Sequence, residues 1–261
     1  MLTRVFASVC FLFASSLQLS TAQTLDVPYI KTPPSVVQKM LEMGKVGPND
    51  YLIDLGSGDG RIPIAAAQQH GTAGLGVDLD PDRTAEAVQA ATQAGVADRV
   101  KFRTENLFDT DIGSASVITM YLFPEINLRL RPHLLALKPG TRIVSHAFHM
   151  DDWTPDRHEI VDGNDVFSWV VPAQLQGLWR VESPSSDPFV LRVWQQFNRA
   201  QATFIGIDER SVPVNSIHVD GPNVRFTLRR PTGDQHYMGV FNDGVIRGTT
   251  KGASWQAVRI D

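Results

Sequence analysis

The stretch Asp54-Leu55-Gly56-Ser57-Gly58-Asp59-Gly60-Arg61-Ile62 constrains this chain more than any other. It follows a short apolar run, Tyr51–Leu55, and leads into a helical pattern, Ile62–Gln69. Glycines at 56, 58 and 60 remove Cβ atoms where the backbone must turn sharply and approach a ligand closely. The helix that follows offers free N–H groups and a partial positive charge at its N-terminus. A dinucleotide loop wants Gly-x-Gly-x-x-Gly, and Arg61 stands where its last glycine belongs, which disfavours a nicotinamide oxidoreductase. Asp54 would repel a pyrophosphate and suits the amino end of an amino-acid-like ligand.

The flanking pattern places this turn in an α/β scaffold. Pro33-Pro34-Ser35 opens a helix whose apolar face is Val36, Val37, Met40 and Leu41, ended by Gly44 and Gly47-Pro48. Ala73–Asp78, Val100–Arg103, Ala115–Tyr121 and Arg142–Phe148 read as further strands, and Pro81–Gln93 and Glu125–Leu137 as helices. Strands alternating with helices of ten to fifteen residues imply a doubly wound, mostly parallel sheet covered on both faces. After Trp169 the helical period disappears. Eight short β-prone runs between Leu178 and Ile260, separated by turns such as Asp220-Gly221-Pro222-Asn223, imply a smaller all-β antiparallel barrel or sandwich. The expected division is 23–172 for the α/β part and 173–261 for the all-β part. Trp169, Trp179, Trp194 and Trp255 are expected to fill the β core.

Residues 1–22 have the three-part plan of an export signal: Arg4, an apolar stretch from Val5 to Leu19, and small residues before Ala22. An uncleaved membrane anchor, a mitochondrial-type transit segment and an amphipathic core helix are the competing readings, and a signal or an anchor places the rest of the chain outside the cytosol, secreted or periplasmic. The single cysteine, Cys10, lies inside this stretch, so the mature chain has no disulfide and no thiol nucleophile. A formal net charge of −4 argues against a dedicated nucleic-acid binder.

Two more positions complete a candidate site. Gly76-Val77-Asp78-Leu79 ends the second strand, where a carboxylate can accept from both hydroxyls of a ribose. Glu105-Asn106-Leu107-Phe108 follows the third strand, where an amide and an apolar side chain can flank an adenine. His146, His149, Asp151 and Asp152 fit no zinc spacing, so no metal site is expected and a polar loop bordering the cleft is the reading.

The motifs DLGSGDGRI, GVDLD, ENLFD and LKPGTRIV resemble those of the class I, seven-strand, Rossmann-like S-adenosylmethionine-dependent methyltransferases, from about Tyr29 to His149. The lead-in Tyr29-Ile30-Lys31-Thr32-Pro33 is similar to that of small non-SET protein-lysine methyltransferases. The resemblance implies that Asp54, Gly56, Gly58 and Gly60 hold the methionyl part of S-adenosylmethionine, with Ser57 also among the cofactor-binding residues. It puts Asp78 at the ribose and Asn106 and Leu107 beside the adenine, counts Leu79 among the cofactor-binding residues, and has Tyr29 and Thr32 closing over the cofactor. Asn106 stands where the family has aspartate, although its amide oxygen still accepts. At the end of the fourth strand, Tyr121 is the candidate to orient an acceptor amine and Glu125 to attract a cationic one.

Two functions remain open on the sequence: an exported methyltransferase acting on a protein lysine, and a non-catalytic envelope scaffold that keeps the cofactor pocket. The absence of an Asn/Asp-Pro-Pro-Tyr stretch lowers adenine-N6 substrates. Cleavage after Ala22 predicts a mature chain beginning at Gln23. An intact-mass measurement on protein exported from the full-length gene checks this, and an uncleaved N-terminus there would support the anchor reading.

Overall fold

The structure, a computed structural model, describes residues 29–184, 186–206, 211–230 and 233–261. The export signal expected at 1–22 lies outside the described residues. Two sheets organise the chain. In the first, β1 (Tyr51–Leu55), β2 (Ala73–Asp78), β3 (Val100–Thr104), β4 (Val117–Met120) and β5 (Arg142–His146) run parallel in the order β3-β2-β1-β4-β5. Their side chains alternate between faces. Leu52, Val117 and Val144 pack against α1 (Pro34–Met43) and α2 (Arg61–His70). Ile53, Ile118 and Ile143 face α4 (Pro124–Leu135) on the other side. The helix α3 (Pro81–Gln93) lies beside α2. Because β1 is flanked by β2 on one side and β4 on the other, the chain reverses direction there, leaving a crevice beyond the carboxyl ends of β1 and β4.

Two strands of this sheet escape the sequence reading. β6 (Arg157–Val161) and β7 (Asn164–Val170) form a hairpin that adds antiparallel to β5, giving seven strands. The turn is Asp162-Gly163, both at positive φ, with Val161 paired to Asn164. Asp-Gly flanked by apolar residues is the strongest short hairpin signal, and it is legible in the sequence.

Nine strands form the second sheet: β8 (Gly177–Ser183), β9 (Ser186–Gln196), β10 (Arg199–Ile205), β11 (Ser211–Pro213), β12 (Ser216–Asp220), β13 (Asn223–Arg230), β14 (Gly233–Asn242), β15 (Val245–Thr250) and β16 (Ala253–Arg259). Its order is β11-β10-β9-β8-β16-β15-β14-β13-β12. It is one curled sheet, a half-barrel, with no ladder joining β11 to β12 among the described residues. Tyr237, Phe226, Trp255 and Trp179 fill its concave side. Two of the four tryptophans expected in this core lie elsewhere. Trp169 is buried in the first sheet, donating to the Trp153 carbonyl at 2.8 Å. Trp194 points outward because Val193 takes the inward place in the two-residue alternation of β9.

The half-barrel docks through the β9–β10 turn. Phe197 stacks on Trp153 with ring centroids 5.8 Å apart, and the Arg131 guanidinium lies 5.2 Å from its centroid. Inside the half-barrel, Gly239 faces Gly248 across β14 and β15, with Trp255 over the pair. A Cβ on Gly248 would sit 1.8 Å from the Met238 carbonyl oxygen. Gly248→Ala is therefore expected to cost at least about 2 kcal/mol. Thermal unfolding should show this as a fall in Tm of roughly 5 °C or more.

Candidate functional site

The crevice beyond β1 and β4 holds a cleft of about 940 Å³ including its open mouth, a size suited to a nucleoside-bearing ligand. Its floor is the glycine turn. Gly56 N–H and Ser57 N–H both donate to the Val77 carbonyl at 2.9 Å, and Gly58 N–H donates to Asp78 Oδ2 at 2.8 Å. Asp80 N–H takes the other oxygen, Asp78 Oδ1, at 3.0 Å. Asp78 is thus aimed before a ligand arrives and keeps lone pairs for two hydroxyls. Gly58 has φ +53, and a Cβ there would lie 2.4 Å from the Tyr29 ring. No other residue lets the lead-in lie so close to the loop.

That lead-in is strapped across the mouth. Arg61 donates to the Thr32 carbonyl at 2.7 Å and forks onto Asp59 through Nε (2.9 Å) and Nη2 (2.5 Å). Burial alone would push Asp59 up, but the Arg61 guanidinium brings its carboxyl down to about 2. The Tyr29 hydroxyl is raised by burial and by Asp59, and the Arg83 guanidinium lies 4.8 Å from its ring centroid. The Thr32 hydroxyl meets His146 Nδ1 at 3.2 Å, while His146 Nε2 meets Asn164 Oδ1 at 3.3 Å. Burial lowers the His146 pKa, against the Asn164 hydrogen bond, so this ring is neutral near pH 7.

Asp54, at the end of β1, is 2% exposed and lies directly across from Thr119 of β4. The Thr119 hydroxyl donates to it at 2.7 Å. Burial pushes the Asp54 carboxyl up to about 7, with Asp78 and Asp59 adding to the effect against the Thr119 hydrogen bond. No cation pairs with Asp54 among the described residues, so the site is short of one positive charge at this point. An α-ammonium beside a sulfonium meets that need.

Ten of the eleven expected cofactor residues line this cleft: Tyr29, Thr32, Asp54, Gly56, Ser57, Gly58, Asp78, Leu79, Asn106 and Leu107. Gly60 does not. A Cβ there would meet Phe102 at 2.5 Å and Ala87 at 2.9 Å, so Gly60 serves close packing of α2 against β3 and α3. Asn106 is already engaged in part. Its Oδ1 already accepts from Phe108 N–H at 3.0 Å, capping its own turn. Sequence reasoning misses Glu105, which lines the cleft with Oε2 buried and without a partner. That oxygen is free to accept from an adenine amino group, and Ser57 Oγ is likewise buried and unpartnered. Of the two catalytic candidates, Tyr121 lines the cleft, whereas Glu125 is exposed on the first turn of α4, outside it. His146, His149, Asp151 and Asp152 do not converge: His146 is buried, and His149 caps the local turn by accepting from Asp151 N–H at 2.9 Å.

The glycine cradle, the unpaired buried acid and the two orphan acceptors fit S-adenosylmethionine. Comparison with known proteins agrees. Residues 54–157 match the family described as the ANTKMT methyltransferase domain. The chain is 43% identical over 141 residues to a protein-lysine N-methyltransferase of Saccharolobus islandicus, spanning 53% of this chain and 88% of that one. It belongs to the class I S-adenosylmethionine-dependent methyltransferases. S-adenosylmethionine is its methyl donor, and it is an enzyme, not a bare binding module. The adenine nucleotide translocase lysine N-methyltransferase of Mus musculus is 31% identical over 50% of this chain. The match spans only 57% of that relative's length. A crystal structure described as an RNA methyltransferase from Salinibacter ruber, in complex with S-adenosyl-L-homocysteine, has 48% identity and a TM-score of 0.55. It covers 56% of this chain and 96% of its own.

The Asp54 environment sets a pH dependence. A cationic ligand binds the ionised carboxylate, and the ligand-free protein holds a proton there below about pH 7. Binding must expel that proton, so affinity rises with pH up to about 7 and then levels. Calorimetric titration with S-adenosylhomocysteine between pH 5 and 8 should show Kd falling roughly tenfold per unit at the acidic end. Asp54→Asn should weaken binding and flatten the profile. The ligand-free wild type should also lose stability as pH rises from about 4 to 7, because only the folded state keeps this proton.

Proposed function

We propose that this enzyme methylates a lysine side chain on a protein. The observation that carries the reading is the 43% identity to a protein-lysine N-methyltransferase that the match spans almost end to end. The Mus musculus relative, named for a lysine of the adenine nucleotide translocase, supports it over half of this chain. S-adenosylmethionine supplies an electrophilic methyl group on a sulfonium. The protein's part is to hold, align and dry. In this reading Asp54 holds the α-ammonium, Asp78 the ribose hydroxyls, and the strap from Tyr29 to Thr32 excludes water. Tyr121 stands at the end of β4, where an acceptor amine must arrive in line. Glu125, exposed nearby on α4, draws in a cationic side chain.

An RNA acceptor is the second reading, favoured by the Salinibacter ruber structure. The net charge of −4 works against it, because a polyanion binds through a basic footprint. Export through residues 1–22 belongs to the proposal on the strength of their sequence alone, and it would place both acceptor and cofactor supply outside the cytosol.

Transfer of tritiated methyl from S-adenosylmethionine to poly-L-lysine and to total RNA separates the two acceptors. Label is expected in methyl-lysine after acid hydrolysis, and label confined to RNA would overturn the lysine reading. Gly58→Val and Asp78→Ala should abolish both transfer and S-adenosylhomocysteine binding, the latter expected at about micromolar Kd for wild type.

A further inference from the structure

We propose that Tyr121, Phe148 and Phe123 form an aromatic approach to the cofactor cleft that receives the acceptor side chain, a primary amine on a flexible four-carbon stem. The inference rests on the lysine reading and assigns that substrate a place. Tyr121 borders the cleft, so the approach is continuous with it. Its ring lies 6.2 Å from Phe148, tilted by 27°, and Phe148 meets Phe123 edge to face at 6.0 Å. From behind, the neutral His146 ring supports Tyr121 at 3.9 Å. All three aromatic residues of the approach are half-buried.

The backbone that presents Phe148 is strained. Ala147 has φ +67, and Phe148 N–H donates to the His146 carbonyl at 2.9 Å, a γ-turn of the rare hand. Such a conformation persists only where its surroundings over-determine it. Here Ala147 N–H donates to the Asp165 carbonyl at 2.8 Å. The Phe148 carbonyl accepts from Ser145 Oγ at 2.7 Å and from Asn127 Nδ2 at 3.4 Å. Both Ser145 and Asn127 are fully buried. The strain delivers no buried core contact. It delivers a half-exposed phenyl ring beside Tyr121, which makes placement of that ring its evident product.

The chemistry of the approach suits an amine. Aromatic faces attract an ammonium on arrival. Removal from water then lowers the amine pKa, and among the described residues no ion pair or hydrogen bond brings a carboxylate onto the three rings to hold the charge. The ammonium releases its proton to solvent. The amine lone pair bonds to the methyl carbon as the carbon–sulfur pair returns to sulfur, and the methylated product loses a proton in turn. Glu125 follows Phe123-Pro124 on an exposed helix turn, where a carboxylate attracts an ammonium and repels a phosphate. That favours lysine over a nucleotide, although a nucleobase also stacks on rings.

The test uses the full chain, poly-L-lysine as probe and S-adenosylhomocysteine affinity as a check on the fold. Phe148→Ala should raise KM for poly-L-lysine at least tenfold while the S-adenosylhomocysteine Kd stays within twofold. Phe148→Leu, which keeps bulk without a π face, should fall between the two and covers the case in which the alanine variant fails to fold. Ala147→Gly should unfold at the same or a higher temperature, because it relieves the turn, and still raise KM. Methylation of poly-L-lysine with KM unchanged in the Phe148 variants would overturn the aromatic approach and leave the lysine reading standing. A wild type that neither binds nor methylates poly-L-lysine, or that labels RNA alone, would overturn both.

Discussion

The hydrogen bond from Gly58 N–H to Asp78 Oδ2 is the interaction on which the rest of the site depends. It joins the turn after β1 to the end of β2, beside the bonds from Gly56 and Ser57 to Val77. The carboxylate that would receive the ribose is therefore oriented by the loop that would cradle the methionyl end. Neither half of the pocket can shift without the other. The loop can reach Asp78 because Gly58 has no side chain, and the same missing Cβ lets the Tyr29 ring settle over it. Floor, ribose acceptor and strap are one connected device, formed before the cofactor arrives, which limits the ordering cost of binding.

Electrostatics divides this device into a finished part and an unfinished part. Asp54 and Asp59 lie five residues apart and shift in opposite directions. Asp59 is saturated by the Arg61 fork and closes the strap. Asp54 has a hydroxyl donor but, among the described residues, no cation, and burial holds its proton up to about pH 7. A buried acid left unpaired costs stability, and a fold retains one where a ligand completes it. Among the described residues Asp54 is thus a charge defect in the floor of the cleft that a cationic ligand would complete.

What is legible in the sequence follows from locality. The glycine turn, Asp78 at the end of β2 and the alternation of strands and helices are all set by residues near one another in the chain. Gly60 eludes a local reading because its constraint comes from Phe102 and Ala87, far along the sequence. Asn106 lines the cleft as its motif suggests while its oxygen also accepts from a local backbone N–H, and the neighbouring Glu105, with Oε2 buried and unpartnered, is the acceptor that no motif points to. Trp194 falls outside the expected core because strand register decides which way a large side chain points, and Trp169 because its strand, β7, joins the first sheet and buries it there. The β6–β7 hairpin carries its signal openly in Asp162-Gly163, a short cue between two stronger patterns.

That hairpin does more than widen the sheet. Asn164, the first residue of β7, holds its amide under His146 while its Nδ2 donates to Val161 and Asp162 carbonyls. An oxygen that only accepts fixes the proton on His146 Nε2, which leaves Nδ1 to accept from the Thr32 hydroxyl. The lead-in is thereby fastened to β5 and β7 through a single neutral ring, and that ring also backs Tyr121. Protonation would turn Nδ1 from acceptor into donor and place a charge in a desolvated pocket, so burial protects the geometry as well as the neutrality of the ring. The strap, Tyr121 and the β5–β7 pair meet at His146, which the sequence offers only as part of a polar loop. The Tyr121 side of the cleft is accordingly a property of the folded topology, whereas the floor is written in the glycine turn.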